Sequence, residues 1–228
     1  MHTLLLRICG PMQSWGVQSP AKDRDSGLEP SKSGIVGLLC AAQGISRTDE
    51  ALDAMVARLA KLTMGVRVDR EGVLQKDYHT AGKVWPNGKG GYRRADGTLE
   101  KKDVVTSTRH YLSDARFLVG LQGDNLDFLA ELHTKLRDPV WPLYLGRKAF
   151  VPGEPVWLKD GLWPETDLLT ALKNYRPITA QIRFVLEDPN GVEVRPDQPL
   201  SFAERRFAPR RVRTLFIDLS GLASAKEE

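Results

Sequence analysis

The order of its periodic segments constrains what this chain can fold into. Residues 49–62 have apolar side chains at helical spacing, with acids at the start and basic residues near the end, which favours an amphipathic helix. Residues 125–137 predict a second amphipathic helix. Residues 33–45 are apolar all round, as expected of a buried helix that Ser31 or Ser33 can cap.

Short apolar runs bounded by turn residues predict the strands. These runs are residues 3–9, 63–69, 73–79, 104–111, 115–122, 178–187 and 212–219. With a basic stretch in the middle set aside, the front of the chain fits the βαββαβ plan of a ferredoxin-like domain, an α+β architecture common in RNA recognition. The predicted organisation is a domain over 1–79 and 108–150, an insert over 80–107, and a smaller irregular β-rich region over 151–228.

The net charge of +4 is a mild bias, and the distribution of charge says more. Six cations lie between Lys83 and Lys102 against Asp96 and Glu100, and five arginines without an acid lie in 205–213. A charge run is usually a solvated face. Two separate basic clusters beside aromatic residues nevertheless favour a polyanionic partner.

Several classes of protein are disfavoured by the apolar pattern. No apolar run approaches the roughly 18–20 residues of a membrane helix. The N-terminus has neither a basic region nor a cleavage site, so it predicts a first strand and not a signal peptide. Cys9 and Cys40 lie in apolar surroundings, which favours buried thiols in a reducing cytoplasm over a disulfide or metal site.

The segment Ser31-Lys32-Ser33 before a helix invites comparison with a phosphate-binding loop. Such a loop needs two glycines, and positions 26 and 31 are both serine, so nucleotide hydrolysis is disfavoured. A helix N-terminus with a serine hydroxyl and a lysine can still hold one RNA phosphate. An ordinary serine cap with a solvated lysine explains the segment equally well.

Signals for catalysis are poor. Asp77, Tyr78 and His79 resemble an acid–base cluster, but neighbouring residues of a strand point to opposite faces, which favours a stacking tyrosine beside a structural histidine. The pair His110-Tyr111 meets the same objection. Four scattered histidines and two cysteines give no metal-ligand spacing, so we expect neither a metal nor a cofactor.

A series of blocks makes the chain resemble the CasD family, the subunits at the guide-RNA 5′ end of type I-E CRISPR Cascade complexes. The blocks are residues 6–16, 31–39, 76–80, 108–115 and 142–147, with a looser match around 205–211. They occur in family order and span most of the first 150 residues. The series is specific, whereas a single block would not be.

The resemblance implies a member of the repeat-associated RNA-binding proteins, with a ferredoxin-like palm that grips the repeat-derived 5′ handle. It also implies a thumb-like hairpin over 80–107 that packs against the backbone subunit. The implied partners are the guide CRISPR RNA and the backbone and large subunits, with target DNA contacted only indirectly. In type I-C systems the homologous subunit cuts precursor RNA, whereas similarity to type I-E favours a non-catalytic role.

The leading hypothesis is therefore an RNA clamp in which tyrosines stack on bases and cations hold phosphates. A metal-independent ribonuclease with His79 or His110 as acid or base is one alternative, and an assembly subunit whose basic patches only tune solubility is another. The predicted RNA-binding residues are Gln13, Trp15, Lys32, Ser33, Tyr78, Arg109, Tyr111, Tyr144, Arg147, Lys148, Arg205, Arg206, Arg210 and Arg211. The predicted thumb residues are Lys83, Trp85, Lys89, Tyr92, Arg93, Arg94, Lys101 and Lys102.

Overall fold

The computed structural model describes residues 1–16, 23–82, 92–93, 99–100, 105–176, 178 and 180–220. Its elements are β1 (His2–Cys9), β2 (Met12–Gln13), β3 (Asp23–Arg24), α1 (Lys32–Gln43), α2 (Leu52–Ala60), β4 (Thr63–Arg70), β5 (Val73–Ala81), β6 (Tyr92–Arg93), β7 (Leu99–Glu100), β8 (Val105–Ser113), β9 (Arg116–Gly123), α3 (Leu126–Arg137), β10 (Leu162–Trp163), α4 (Leu168–Asn174), β11 (Gln181–Glu187), β12 (Glu193–Ser201) and β13 (Arg206–Asp218). None of the helices in these ranges has the length and apolar character to span a membrane.

Two larger sheets organise the strands. Seven strands form the main sheet in the order β10-β1-β9-β4-β11-β13-β12, and every neighbouring pair is antiparallel. In a second sheet β8 pairs with β2, β5 and β3, the last of these in parallel. β6 and β7 pair with each other. The predicted mixture of helices with mainly antiparallel strands is confirmed.

The main sheet is covered on both faces. Leu4 and Leu6 of β1 join the apolar cluster that includes α1, α2 and α3, whereas Leu5 joins the cluster that includes α4. A strand with both faces buried needs apolar residues at successive positions. This explains why the first strand reads as a continuous apolar run instead of alternating.

The structure departs from the sequence expectations in the middle and at the C-terminal end. Strands predicted at 73–79 and 104–111 pair with each other from Val73 opposite Ser113 to Ala81 opposite Val105, outside the main sheet. The sequence also missed α4 and β12. β12 contains Pro196 and Pro199, and its register with β13 shifts at two points, as prolines within an edge strand lead one to expect.

A buried network of four charged residues holds the N-terminus of α1. The side chain of Asp197 accepts a hydrogen bond from the backbone N–H of Lys32 at 2.7 Å. The Lys32 ammonium lies 2.8 and 3.0 Å from the two carboxylate oxygens of Glu187. Arg210 donates to both oxygens of Asp197, at 2.6 and 3.0 Å. We call these residues the anchor network; they join α1 to β11, β12 and β13.

Burial makes the anchor network sensitive to the loss of any member. Lys32 is 1% exposed, and its desolvation lowers the pKa of the ammonium while the Glu187 carboxylate opposes that shift. A buried charge is tolerated only when it is paired and hydrogen-bonded, and removing one partner strands the other. The network therefore requires α1, β11, β12 and β13 to keep one relative position.

We expect Lys32→Met to lower the free energy of unfolding by about 3 kcal/mol, because Glu187 loses its main cation in a largely buried site. Urea denaturation of the full chain measures the change. Lys61→Met, at an exposed position, is the matched control and should change the midpoint little. If both variants unfolded at the wild-type midpoint, the anchor network would contribute nothing to stability.

Candidate nucleic-acid interface

Three arginines from separate segments converge beside the second sheet. The strand register places Arg109 of β8 between Arg24 of β3 and Asp77 of β5. Arg147 comes from the segment after α3, and its guanidinium donates to the carbonyl of His110 at 2.8 Å. We call Arg24, Arg109 and Arg147 the arginine cluster.

The arginine cluster has an excess of positive charge. Partial burial and then the charge of Arg24 lower the pKa of Arg109. The pKa of Arg147 is lowered mainly by partial burial, and further by the positive charges of Arg109 and then Arg24. In the described part of the chain, Asp77 is the acid whose charge acts against both shifts. Guanidinium groups stay ionised at neutral pH even so, and the repulsion among them is relieved when an anion binds.

A glycine makes the position of Arg147 possible. Gly146 has a φ of +91°, and a Cβ at that position would lie 1.8 Å from the carbonyl oxygen of Ser14. Only glycine allows this close backbone approach. The guanidinium carbon of Arg147 also lies 5.4 Å from the centre of the Phe150 ring, within the range of a cation–π contact. The backbone and the ring together direct this side chain towards β8.

A second feature is a cavity of about 540 Å³ between α1, the segment after α3 and the turn that joins β12 to β13. We call it the α1 groove. Three of the predicted RNA-binding residues line it, namely Ser33, Tyr144 and Lys148. Lys148 follows directly after Arg147, so the groove and the arginine cluster share one short segment.

Three predicted RNA-binding residues lie in the interior instead of on the surface. Gln13 is fully buried and donates to the carbonyl of Ala115 at 2.7 Å, and Trp15 donates its indole N–H to Gln13. Lys32 belongs to the anchor network. These three side chains already have partners inside the protein, so the structure gives them a structural role and presents none of them to an RNA phosphate or base.

Two predicted stacking tyrosines lie on opposite faces of the β5–β8 hairpin. Tyr78 is 71% exposed and pairs across the strands with Thr108. The neighbouring position of β8, Arg109, belongs to the other face, because successive residues alternate. Tyr111 shares that face with Arg109, and its ring packs against Phe150 at a centroid distance of 5.9 Å. Tyr78 is therefore separated from the arginine cluster.

The arginine-rich segment near the C-terminus does not form one basic surface. Arg210 is bound to Asp197 in the anchor network, and Arg206 forms an ion pair with Glu204. Arg211 donates to the carbonyl of Gly191 and lies on the alternate face of β13. Arg205 occupies the turn before β13 and is exposed. Arg205 and Arg206 thus lie at the end of the turn that joins β12 to β13 and contains Phe202.

The predicted thumb falls mostly outside the described residues. The thumb residues that lie outside the described ranges are Lys83, Trp85, Lys89, Arg94, Lys101 and Lys102. The backbone at Tyr92 and Arg93 forms β6, which pairs with β7.

The two histidines that could move a proton do not share one face of the hairpin. His79 Nδ1 lies 3.7 Å from a carboxylate oxygen of Asp77 in an exposed position. The Nδ1 atom of His110 is enclosed and has no hydrogen-bond partner in the described part of the chain. His79 pairs with Ser107, whereas Lys76 is the residue opposite His110, so the two histidines occupy alternate faces of the hairpin.

Sequence reasoning missed several residues of these two features. Arg24 lies in a stretch of the sequence without apolar periodicity, and no signal linked it to Arg109. Trp141, Arg47 and Phe202 line the α1 groove but come from three distant parts of the chain. The glycines within α1 were one available signal, since glycine in an apolar helix indicates the close approach of another backbone. In the structure the neighbour of Gly37 is the Phe202 side chain instead.

Comparisons with known proteins agree on one family. The model of the CRISPR-associated protein (Cas_Cas5) family matches residues 3–213. The CRISPR system Cascade subunit CasD of Escherichia coli (strain K12) is 31% identical over 218 residues, which cover 91% of this chain and 92% of that protein.

Two solved structures are similar over nearly the full length. A crystal structure of a Cas protein is 40% identical, with a TM-score of 0.71 and 95% of both chains covered. A chain of a CRISPR RNA-guided surveillance complex is 31% identical, with a TM-score of 0.71, and the match covers 95% of this chain and 90% of that one. The family resemblance predicted from the sequence blocks is confirmed. Because the family model and a relative above 30% identity both span most of its length, this chain belongs to the Cas_Cas5 family of CRISPR-associated proteins.

Proposed function

We propose that this chain clamps the repeat-derived 5′ handle of the guide RNA in a type I-E CRISPR Cascade complex and does not cut it. Its similarity to a Cascade subunit and to a chain of an RNA-guided surveillance complex supports this proposal. The partners would be the guide RNA and the backbone and large subunits, in the cytoplasm, with target DNA contacted only through the assembled complex.

The arginine cluster is the observation that carries the proposal. Arg24, Arg109 and Arg147 come from three segments and oppose one another electrostatically, with Asp77 as the acid that acts against them. Such an arrangement is costly in isolation and favourable around a phosphate, which guanidinium groups bind through charge-assisted hydrogen bonds. Single-stranded RNA supplies phosphates at regular spacing, and binding should weaken with added salt.

We propose a ferredoxin-like palm for the part of the chain that would grip the handle. Four strands support it: β10, β1, β9 and β4 lie side by side and antiparallel, with α1 and α2 between β1 and β4, and α3 between β9 and β10. This is the order of a βαββαβ unit. β10 lies beyond residue 150, so the palm would extend past 108–150. β11, β12 and β13 would be a C-terminal extension that continues the same sheet.

The insert over 80–107 would be the thumb. Its support is the long hairpin of β5 and β8, which leaves the main sheet between β4 and β9 and carries the insert at its end. Within the insert, six cationic residues outnumber three acidic ones. In the complex we expect the thumb to contact the backbone subunit and the RNA between handle and spacer.

We expect Arg147→Ala to weaken binding of handle RNA by about 1–2 kcal/mol, or roughly 5- to 30-fold, because one charge-assisted contact is lost. Fluorescence anisotropy at one fixed salt concentration measures the affinity. Lys173→Ala is the matched control, since Lys173 lies on α4 across the main sheet. Equal affinities of wild type and Arg147→Ala, with both proteins folded, would remove Arg147 from the site.

We expect repeat RNA to stay intact when it is incubated with the purified chain in EDTA. A metal-independent ribonuclease needs an acid and a base beside one phosphate, and His79 and His110 occupy alternate faces of the hairpin. Gel electrophoresis of end-labelled RNA detects any cut. Cleavage that disappears with His79→Ala or His110→Ala would contradict the clamp and support a processing enzyme.

A further inference from the structure

The α1 groove has the dimensions and lining of a ligand site. Its volume of about 540 Å³ lies within the roughly 300–1,000 Å³ typical of small-molecule sites, so it has room for one nucleotide. The floor of the groove is formed by α1, which contributes residues with little or no side chain, namely Gly34, Gly37 and Ala41. A Cβ on Gly37 would meet only the Phe202 ring, at 3.9 Å, so the space in front of this glycine is open.

Aromatic rings from two segments line the groove. Phe202 comes from the turn between β12 and β13, and Trp141 and Tyr144 come from the segment after α3. Trp141 is 39% exposed although it is a large apolar side chain. Aromatic faces that remain accessible beside a cavity are suited to stacking with a planar ligand, and every nucleobase has such a face.

The charges at the groove are of one sign. Arg47 and Lys148 line it, and no acidic residue does so in the described part of the chain. Lys148 adjoins Arg147 of the arginine cluster, so the groove opens next to the proposed phosphate site. A ligand that combines planar apolar rings with a negatively charged chain matches both features, and single-stranded nucleic acid is such a ligand.

We propose that the α1 groove receives one unpaired base of the guide RNA, stacked on Phe202, while Lys148 and the arginine cluster hold the adjoining phosphates. This inference rests on the proposed function and adds a base-binding subsite to it. Phe202, Trp141 and Gly37 become residues that hold a base, whereas the arginine cluster acts on the backbone of the RNA. Base stacking of this kind tolerates sequence but requires that a base be present.

Gly37→Leu tests the subsite by filling it. The new side chain enters open space, and leucine favours a helix more than glycine does, so the variant should melt at or above the wild-type temperature. Phe202→Ala removes the stacking ring in a second, independent variant. Phe216→Ala is the matched control, because Phe216 is 64% exposed near the far end of β13.

The readout is the affinity for handle RNAs that each carry one abasic position. For the wild type, one abasic position should weaken binding about 5- to 150-fold, as expected for the loss of one stacked base. Gly37→Leu and Phe202→Ala should weaken binding of the intact handle by a similar factor. For these two variants, the abasic position that weakens binding to the wild type should cause no further loss of affinity. Phe216→Ala should behave as the wild type.

Other results would overturn the subsite. If Gly37→Leu and Phe202→Ala bound intact handle RNA as the wild type does, the groove would hold no base. If these two variants bound RNA normally but failed to assemble with the other subunits, the groove would instead receive a segment of a protein partner. If the wild type did not prefer handle RNA over scrambled RNA, the proposed function itself would fail. Weakening by Arg147→Ala with no effect of Gly37→Leu would overturn the subsite alone.

Discussion

The anchor network fixes the geometry on which the α1 groove depends. Asp197 of β12 and Arg210 of β13 bind each other, and Asp197 also caps the backbone of Lys32. The turn with Phe202 joins these same two strands. The hairpin therefore cannot shift along α1 without unpairing buried charges, which costs several kcal/mol per stranded ion. Because of this constraint, Phe202 stays beside Gly37 and the α1 groove stays open.

The elements that could be predicted from the sequence are those with an uninterrupted apolar period. α3 begins one residue after the predicted start and ends at the predicted residue, because its apolar positions repeat at helical spacing and Asn125 caps it. β12 was missed because two prolines and an aspartate interrupt its apolar pattern. The hairpin of β5 and β8 was recognised as two strands, but their pairing outside the main sheet depends on tertiary contacts that no local period reports.

Site residues were harder to predict because the sequence gives a charge but not its partner. Lys32 resembles a phosphate ligand until Glu187, 155 positions away, binds its ammonium. The arginines of 205–211 resemble a cluster, yet a strand sends successive residues to opposite faces, so Arg210 and Arg211 separate. Arg109 and Arg147 were among the predicted residues because they belong to recognisable blocks. Arg24 was missed, since only the parallel pairing of β3 with β8 brings it to Arg109.

Holding an RNA and cutting it demand different electrostatics. Arginine keeps its charge at every physiological pH, so a cluster of arginines gives a constant attraction without supplying a proton acceptor. The alternation of β5 and β8 separates His79 from His110, so these two histidines cannot act together on one phosphate. The long register of the hairpin, from Val73 to Ala81, makes that separation rigid. On the other side of β8, the pairing with β3 brings Arg24 to Arg109 and so builds the constant positive charge.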